Sequence, residues 1–228
     1  VADLIDNHTD VGKRYEFSLL LNEFRRSLLR ELDFKREADN LLKLRDSLAE
    51  YETIVIPAPV EDYTSSRVLT MEYIAGKKIT DVSPVRLVEI DGMKLSEDLF
   101  RAYLKQILVD GFFHADPHPG NVFLTEDDRI ALIDLGMVSH LSGRMREQLL
   151  RMLLAIAEGR GEEVAEITIR MGEARPNFDE IEFKRRVSSL VVRHTDSTLD
   201  RLDAGRIVMK IMRIGADTWF RFPQEFTM

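Results

Sequence analysis

Apolar residues recur at helical spacing over residues 17–30, where Phe17, Leu20, Leu21, Phe24 and Leu28 share one stripe. A second stripe, Phe34, Ala38, Leu41 and Leu48, predicts a helix from about Glu31 to Ala49. The pattern then shortens. Residues 53–57 and 67–74 are β-branched and apolar runs separated by the turn-rich 61–66, and they read as two strands of a small sheet. A stretch of low hydrophobicity follows at 81–91. Beyond it Leu99, Tyr103, Ile107 and Leu108 mark a helix that closes at Asp110-Gly111, with glycine in the C-terminal cap position. Residues 122–125 and 130–133, joined through 126–129, predict a hairpin. From Ser142 onward the spacing is helical over about 142–158, 161–172, 179–194 and 203–220, with breaks at Gly159 and Gly172 and Pro176 in a loop.

Composition narrows the function classes. A chain of 228 residues, 44% of them hydrophobic, can bury one sizeable core or two small lobes. A formal charge of -8 and an isoelectric point near 5.3 argue against a non-specific nucleic-acid binder. The basic cluster Arg25, Arg26, Arg30, Lys35 and Arg36 is interleaved with Glu23, Glu31 and Glu37, as on a solvated helix face. The absence of cysteine excludes disulfides, thiolate zinc sites and thiol nucleophiles, and fits a reducing compartment. No apolar run approaches the roughly 20 residues of a membrane helix, and no signal-peptide pattern opens the chain. The expected location is cytoplasmic, with membrane association of a full-length protein left open. A start at Val1 and a stop at Met228 lead us to expect a piece of a longer protein.

The chemistry is concentrated in two segments, residues 111–121 (GFFHADPHPGN) and 132–136 (LIDLG). They place Asp116, then Asn121 five residues later, then Asp134 thirteen further on, the order in which a kinase-like site sets a base and two magnesium ligands. Each residue alone has a plainer reading: Asp116 as a turn aspartate before proline, Asn121 as a turn at a strand entry, Asp134 as a cap for Leu135-Gly136. Together they make another case. Pro117 and Pro119 stiffen the loop, Gly120 allows close backbone approach, and the hairpin brings Asn121 at its entrance next to Asp134 at its exit. An amide oxygen and a carboxylate are hard ligands suited to Mg²⁺. His114 and His118 read as loop scaffolding. Zinc ligation by His114, Asp116 and His118 fails, because two prolines interrupt any helical spacing and no further ligand is near.

These residues carry a resemblance. Residues 31–40 (ELDFKREADN), 69–76 (LTMEYIAG), the octet from His114 to Asn121 and 132–137 (LIDLGM) resemble the UbiB/AarF atypical kinase family, linked to ubiquinone biosynthesis. The likeness runs nearly the whole length. It implies an α+β, mainly helical, protein-kinase-like fold, with a partial N-lobe over 1–74, containing an αC-like helix and two strands, and a helical C-lobe over 75–228. It also implies ATP and Mg²⁺ as cofactors, and as partners a nucleotide, quinone-biosynthesis proteins or an isoprenoid lipid, with room for peripheral membrane contact.

The resemblance assigns roles as well. Asp116 is the expected catalytic residue, with Asn121 and Asp134 on the metal. Glu37 falls where the family's αC glutamate pairs with the nucleotide-binding lysine. Glu31 and Asp33 match a Glu-x-Asp signature that in the family contacts an extra N-terminal segment. The backbone of Glu72 and Ile74 would meet adenine at the hinge, although an edge strand leading to a turn accounts for the same residues. Two departures stand out: Leu135 where many kinases have phenylalanine, and the lack of the family's Lys-x-Gly-Gln signature, alanine-rich loop and lysine strand before Glu31. Lys13, the only lysine there, lacks a flanking apolar strand and reads as a linker residue. The expectation is therefore an ATPase or kinase supporting isoprenoid-quinone synthesis, present here as a fragment that is weakly active or inactive. A small-molecule phosphotransferase of the aminoglycoside or choline type and a non-catalytic nucleotide-binding scaffold are the alternatives.

Overall fold

The structure, a computed structural model, describes residues 33–195 and 204–223; the stripe over 17–30, Lys13 and Glu31 lie outside the described residues. Along the chain the elements run α1 (Phe34–Ser47), β1 (Ile54–Val55), β2 (Gly76–Lys78), α2 (Pro84–Glu89), α3 (Gly92–Leu104), β3 (Phe112–His114), β4 (Val122–Thr125) and β5 (Ile130–Leu132). They continue as β6 (Val138–His140), α4 (Gly143–Ala157), α5 (Gly161–Met171), β7 (Glu173–Ala174), α6 (Glu180–Thr195), α7 (Ala204–Asp217) and β8 (Phe220–Arg221). Two compact units result. One reaches to Tyr103 and takes in His114–Val138; the other comprises Leu104–Phe113 and the chain from Ser139 on. No helix among the described residues is long and apolar enough to cross a membrane.

In the first unit α1 buries Ala38, Leu41 and Leu44, with Leu48 just beyond it, three or four residues apart on one face. The hairpin forms as expected. β4 pairs antiparallel with β5 in the register Val122↔Leu132, Phe123↔Ala131 and Leu124↔Ile130. Its turn is closed by Thr125, whose hydroxyl accepts the Arg129 N–H at 2.8 Å. β1 adds parallel to β5 and β2 antiparallel to β4, giving the order β1-β5-β4-β2.

The strand expected over 67–74 is a correction. That segment makes only the isolated bridges Pro59↔Met71 and Ser65↔Val68. A strand is stabilised by packing one face, and here Val68 is 55% and Tyr73 90% exposed, so the apolar run has little to bury against. Conversely, the low-hydrophobicity stretch contains α2. Its origin is capping: the Ser83 hydroxyl accepts from Arg86 N–H and Pro84 opens the first turn, while Val85 and Val88 stay exposed.

The second unit holds the larger core. Ile156, Val164, Phe183, Val187, Val191, Ile207 and Ile211 are almost wholly buried. An aromatic group is built into it, Phe183 lying 5.6 Å from Phe178 and 5.2 Å from Phe220 between ring centroids. Helices α5 and α6 meet at Gly161, where a methyl group would stand 2.6 Å from Ser188 Cα. The helix expected to run through Leu108 does so, but its last turn, Lys105–Asp110, widens to π geometry. It ends as the sequence indicates, at Gly111 with φ 65° in the left-handed region.

Candidate functional site

The loop after β3 is folded by its own polar groups. His118 N–H donates to Asp116 O at 2.7 Å, Asn121 N–H to His118 O at 2.8 Å, and Gly120 N–H to the His118 ring nitrogen Nδ1 at 3.0 Å. His118 is thus the scaffold its position suggests. Two further backbone bonds tie this loop to the segment leaving β5: Ile133 N–H donates to Asn121 O at 3.2 Å, and Ala115 N–H to Met137 O at 3.0 Å. Asp116, Asn121 and Asp134 are thereby drawn to one place, although twelve residues of hairpin separate the last two. Asp134 in turn accepts the Gly136 N–H at 3.1 Å through Oδ1, which turns the chain after it.

These side chains line a cleft of about 300 Å³ together with Phe34, Glu37, His114, Gly136 and Met137. Four of the expected site residues, Glu37, Asp116, Asn121 and Asp134, therefore converge. Glu72 and Ile74 do not line it, nor does Asp33; Glu31 lies outside the described residues. The Glu72 carboxylate instead accepts the Ala58 N–H at 2.9 Å, and Glu72 N–H donates to Ala58 O at 2.8 Å. Phe34, Gly136 and Met137 were not among the expected residues. Gly136 and Met137 lie in the motif around Asp134, and Phe34 could have been suspected as the apolar residue one helical turn before Glu37.

The electrostatics are those of a concentrated negative site. Burial, followed by the nearby Asp134 carboxylate, pushes the Glu37 carboxyl above its ordinary value, and a bond from the Leu135 backbone opposes the rise. Burial lowers the His114 imidazole, against a contact of 3.3 Å with Met137 O and the charges of Asp134 and Asp116. His114 is thus held toward its neutral form between two carboxylates. Tyr103 is raised by burial and then by Asp116.

The described lining carries three carboxylates and no lysine or arginine. Among the described residues no three His, Asp or Glu side chains group as a self-sufficient metal cage. The donor set nevertheless fits Mg²⁺ brought with a polyphosphate, because that ion is commonly held by one or two protein oxygens, with phosphates and water completing its shell. Asn121 and Asp134 offer such oxygens.

The ABC1 atypical kinase-like domain matches residues 2–168. The chain belongs to this family. Among curated proteins it is 33% identical over 229 residues to the uncharacterized Synechocystis sp. protein slr0889, covering 94% of this chain and 55% of the relative. It is 32% identical over 177 residues to ACTIVITY OF BC1 COMPLEX KINASE 8, chloroplastic, of Arabidopsis thaliana, covering 77% of this chain and 23% of that protein. Among solved structures it resembles a Mycobacterium tuberculosis protein, Rv3197, determined with erythromycin. The TM-score is 0.51 at 19% identity, over 86% of this chain and 56% of that one, a likeness of fold. The ABC1 chain thus spans about half or less of the length of these curated relatives. The fold is α+β, mainly helical and kinase-like.

Proposed function

We propose that this ABC1 domain takes part in Mg²⁺- and ATP-dependent phosphoryl transfer or ATP hydrolysis, through the cleft between the Asp116 loop and Asp134. The observation that carries this reading is the convergence of Glu37, Asp116, Asn121 and Asp134 in one cleft whose described lining has no cationic side chain. Bound MgATP would supply the terminal phosphoryl group and the charge neutralisation that such transfer needs. Asp116 would accept, on a carboxylate oxygen, the proton of the attacking hydroxyl or water as its oxygen bonds to phosphorus and the bond to the ADP oxygen breaks. The Asn121 amide oxygen and the Asp134 carboxylate would hold the metal. Glu37 would orient a phosphate-binding lysine, and the backbone of Glu72 and Ile74 would face adenine at the junction of lobes near residue 74. Glu31 and Asp33 would meet a segment preceding α1. In the whole protein the reading extends to the UbiB group, isoprenoid-quinone synthesis and its proteins or lipids, on the resemblance of residues 31–40 and 114–121.

The test compares Mg²⁺-dependent ATP binding and hydrolysis by the wild type, Asp134→Asn and Asp116→Asn, in this chain and in the whole protein. Asp134→Asn should lose Mg²⁺-dependent binding by at least ~10-fold. Asp116→Asn should keep binding and lose turnover by roughly 10²–10⁴-fold, the range of a positioned general base. Binding that is indifferent to Asp134 would overturn the reading.

A further inference from the structure

Helix α1 presents a second polar side chain to the Asp134 segment, one turn beyond Glu37. Asn40 Nδ2 donates to Leu135 O at 2.9 Å, across 95 residues of sequence. The Leu135 backbone also draws the Glu37 carboxyl down against the effect of its burial, so Glu37 stands beside the same residue. Leu135 is fully buried, so neither of its backbone groups has water as a substitute partner. Positions 37 and 40 are neighbours on a helix surface, so both face the Leu135 segment, and Asn40 holds its carbonyl. The adjoining residues are held from elsewhere: Ile133 N–H by Asn121 O and Met137 O by Ala115 N–H. The Asp134 carboxylate itself is exposed and accepts the Gly136 N–H.

We infer that Asn40 is a positioning residue for the metal half of the cleft: by holding the Leu135 carbonyl to α1 it fixes where the Asp134 carboxylate stands. The inference rests on the proposed metal role of Asp134 and Asn121. The residue type suits the task. An amide donates to the carbonyl without adding charge beside Glu37 and Asp134, whereas an aspartate would turn an acceptor toward an acceptor and an alanine would leave the carbonyl unmet. Groups one bond removed from a metal ligand commonly set its affinity by orienting that ligand, at a cost of about 10–100-fold when lost.

The experiment measures Mn²⁺ affinity by water-proton relaxation in the presence of ATP, alongside ATP affinity in EDTA and thermal melting. The variants are Asn40→Ala, Asn40→Leu, Asn40→Gln and Asp134→Asn. Asn40→Ala should weaken Mn²⁺ by about 10-fold while metal-free ATP affinity stays within about twofold. Asn40→Leu keeps the side-chain volume and should show the same loss, so it carries the comparison if the alanine variant does not fold. Asn40→Gln retains a donor and should recover part of the affinity. A role confined to stability would instead lower the melting temperature with Mn²⁺ affinity untouched. If Asn40→Ala and Asn40→Leu bind Mn²⁺ like the wild type while Asp134→Asn does not, the inference fails and the proposed function stands. If wild-type Mn²⁺ binding does not depend on Asp134, both fall together.

Discussion

The two units of this chain are held by different physics. In the second, helices close around side chains with essentially no exposure, and a glycine lets α5 and α6 approach to backbone contact. In the first, the residues proposed to carry the chemistry are partly or fully exposed and stand where hydrogen bonds to the backbone put them: Ile133 N–H to Asn121 O, Ala115 N–H to Met137 O, and the Asn40 side chain to Leu135 O. Packing is dense and tolerant of chemistry only through volume; hydrogen-bonded loops are tolerant of volume but strict about donors and acceptors. Stability should therefore be most sensitive in the second unit, and ligand binding in the first, with little exchange between them.

The sharpest challenge to that contrast is Phe183→Ala, which removes the wholly buried ring at the middle of the aromatic group. Urea unfolding should show a loss of about 3–5 kcal/mol. A loss below about 1 kcal/mol would mean that packing does not dominate there. Gly161→Ala comes next, since the new methyl group would meet the Ser188 backbone rather than a side chain that can turn away. The same titration should report about 1–3 kcal/mol, by displacement of α5 from α6.

The smallest effect concerns the first unit and is a dependence on pH. Glu37 is held above its ordinary value of 4.5 by burial and by Asp134. Through the window from 4.5 up to that raised value the folded chain keeps a proton that the unfolded chain has released, so stability falls as pH rises. Glu37→Gln should remove this decline, making the variant relatively more stable at pH 7 than at pH 4. Unfolding curves across that range that run parallel for the two proteins would show that the carboxylates are not in tension.

Much of this architecture was legible because its signals are local. The hairpin 122–132 announced itself by two β-rich runs around an acidic turn, and the left-handed Gly111 by its place after a helical stripe. The order Asp116, Asn121, Asp134 pointed to one site because a hairpin must bring its own ends together. Where the reading failed, exposure was the reason. Residues 67–74 have the composition of a strand without a face to bury, and α2 is a helix fixed by its cap with little apolar burial. The breadth of the turn at Lys105–Asp110 left no mark in the spacing either.

The chain order therefore determined which residues are the candidates for the chemistry, the hairpin that gathers them and the helices of the second unit, since turn residues and periodicity act between near neighbours. Folding alone decided that α1 would lie along the Asp134 segment. Only there does Asn40 meet the Leu135 carbonyl, and Glu37 feel the charge of Asp134. Hydrogen bonds and the stronger part of a Coulomb interaction act within a few ångströms, and residues 95 positions apart come within that range only in the folded chain.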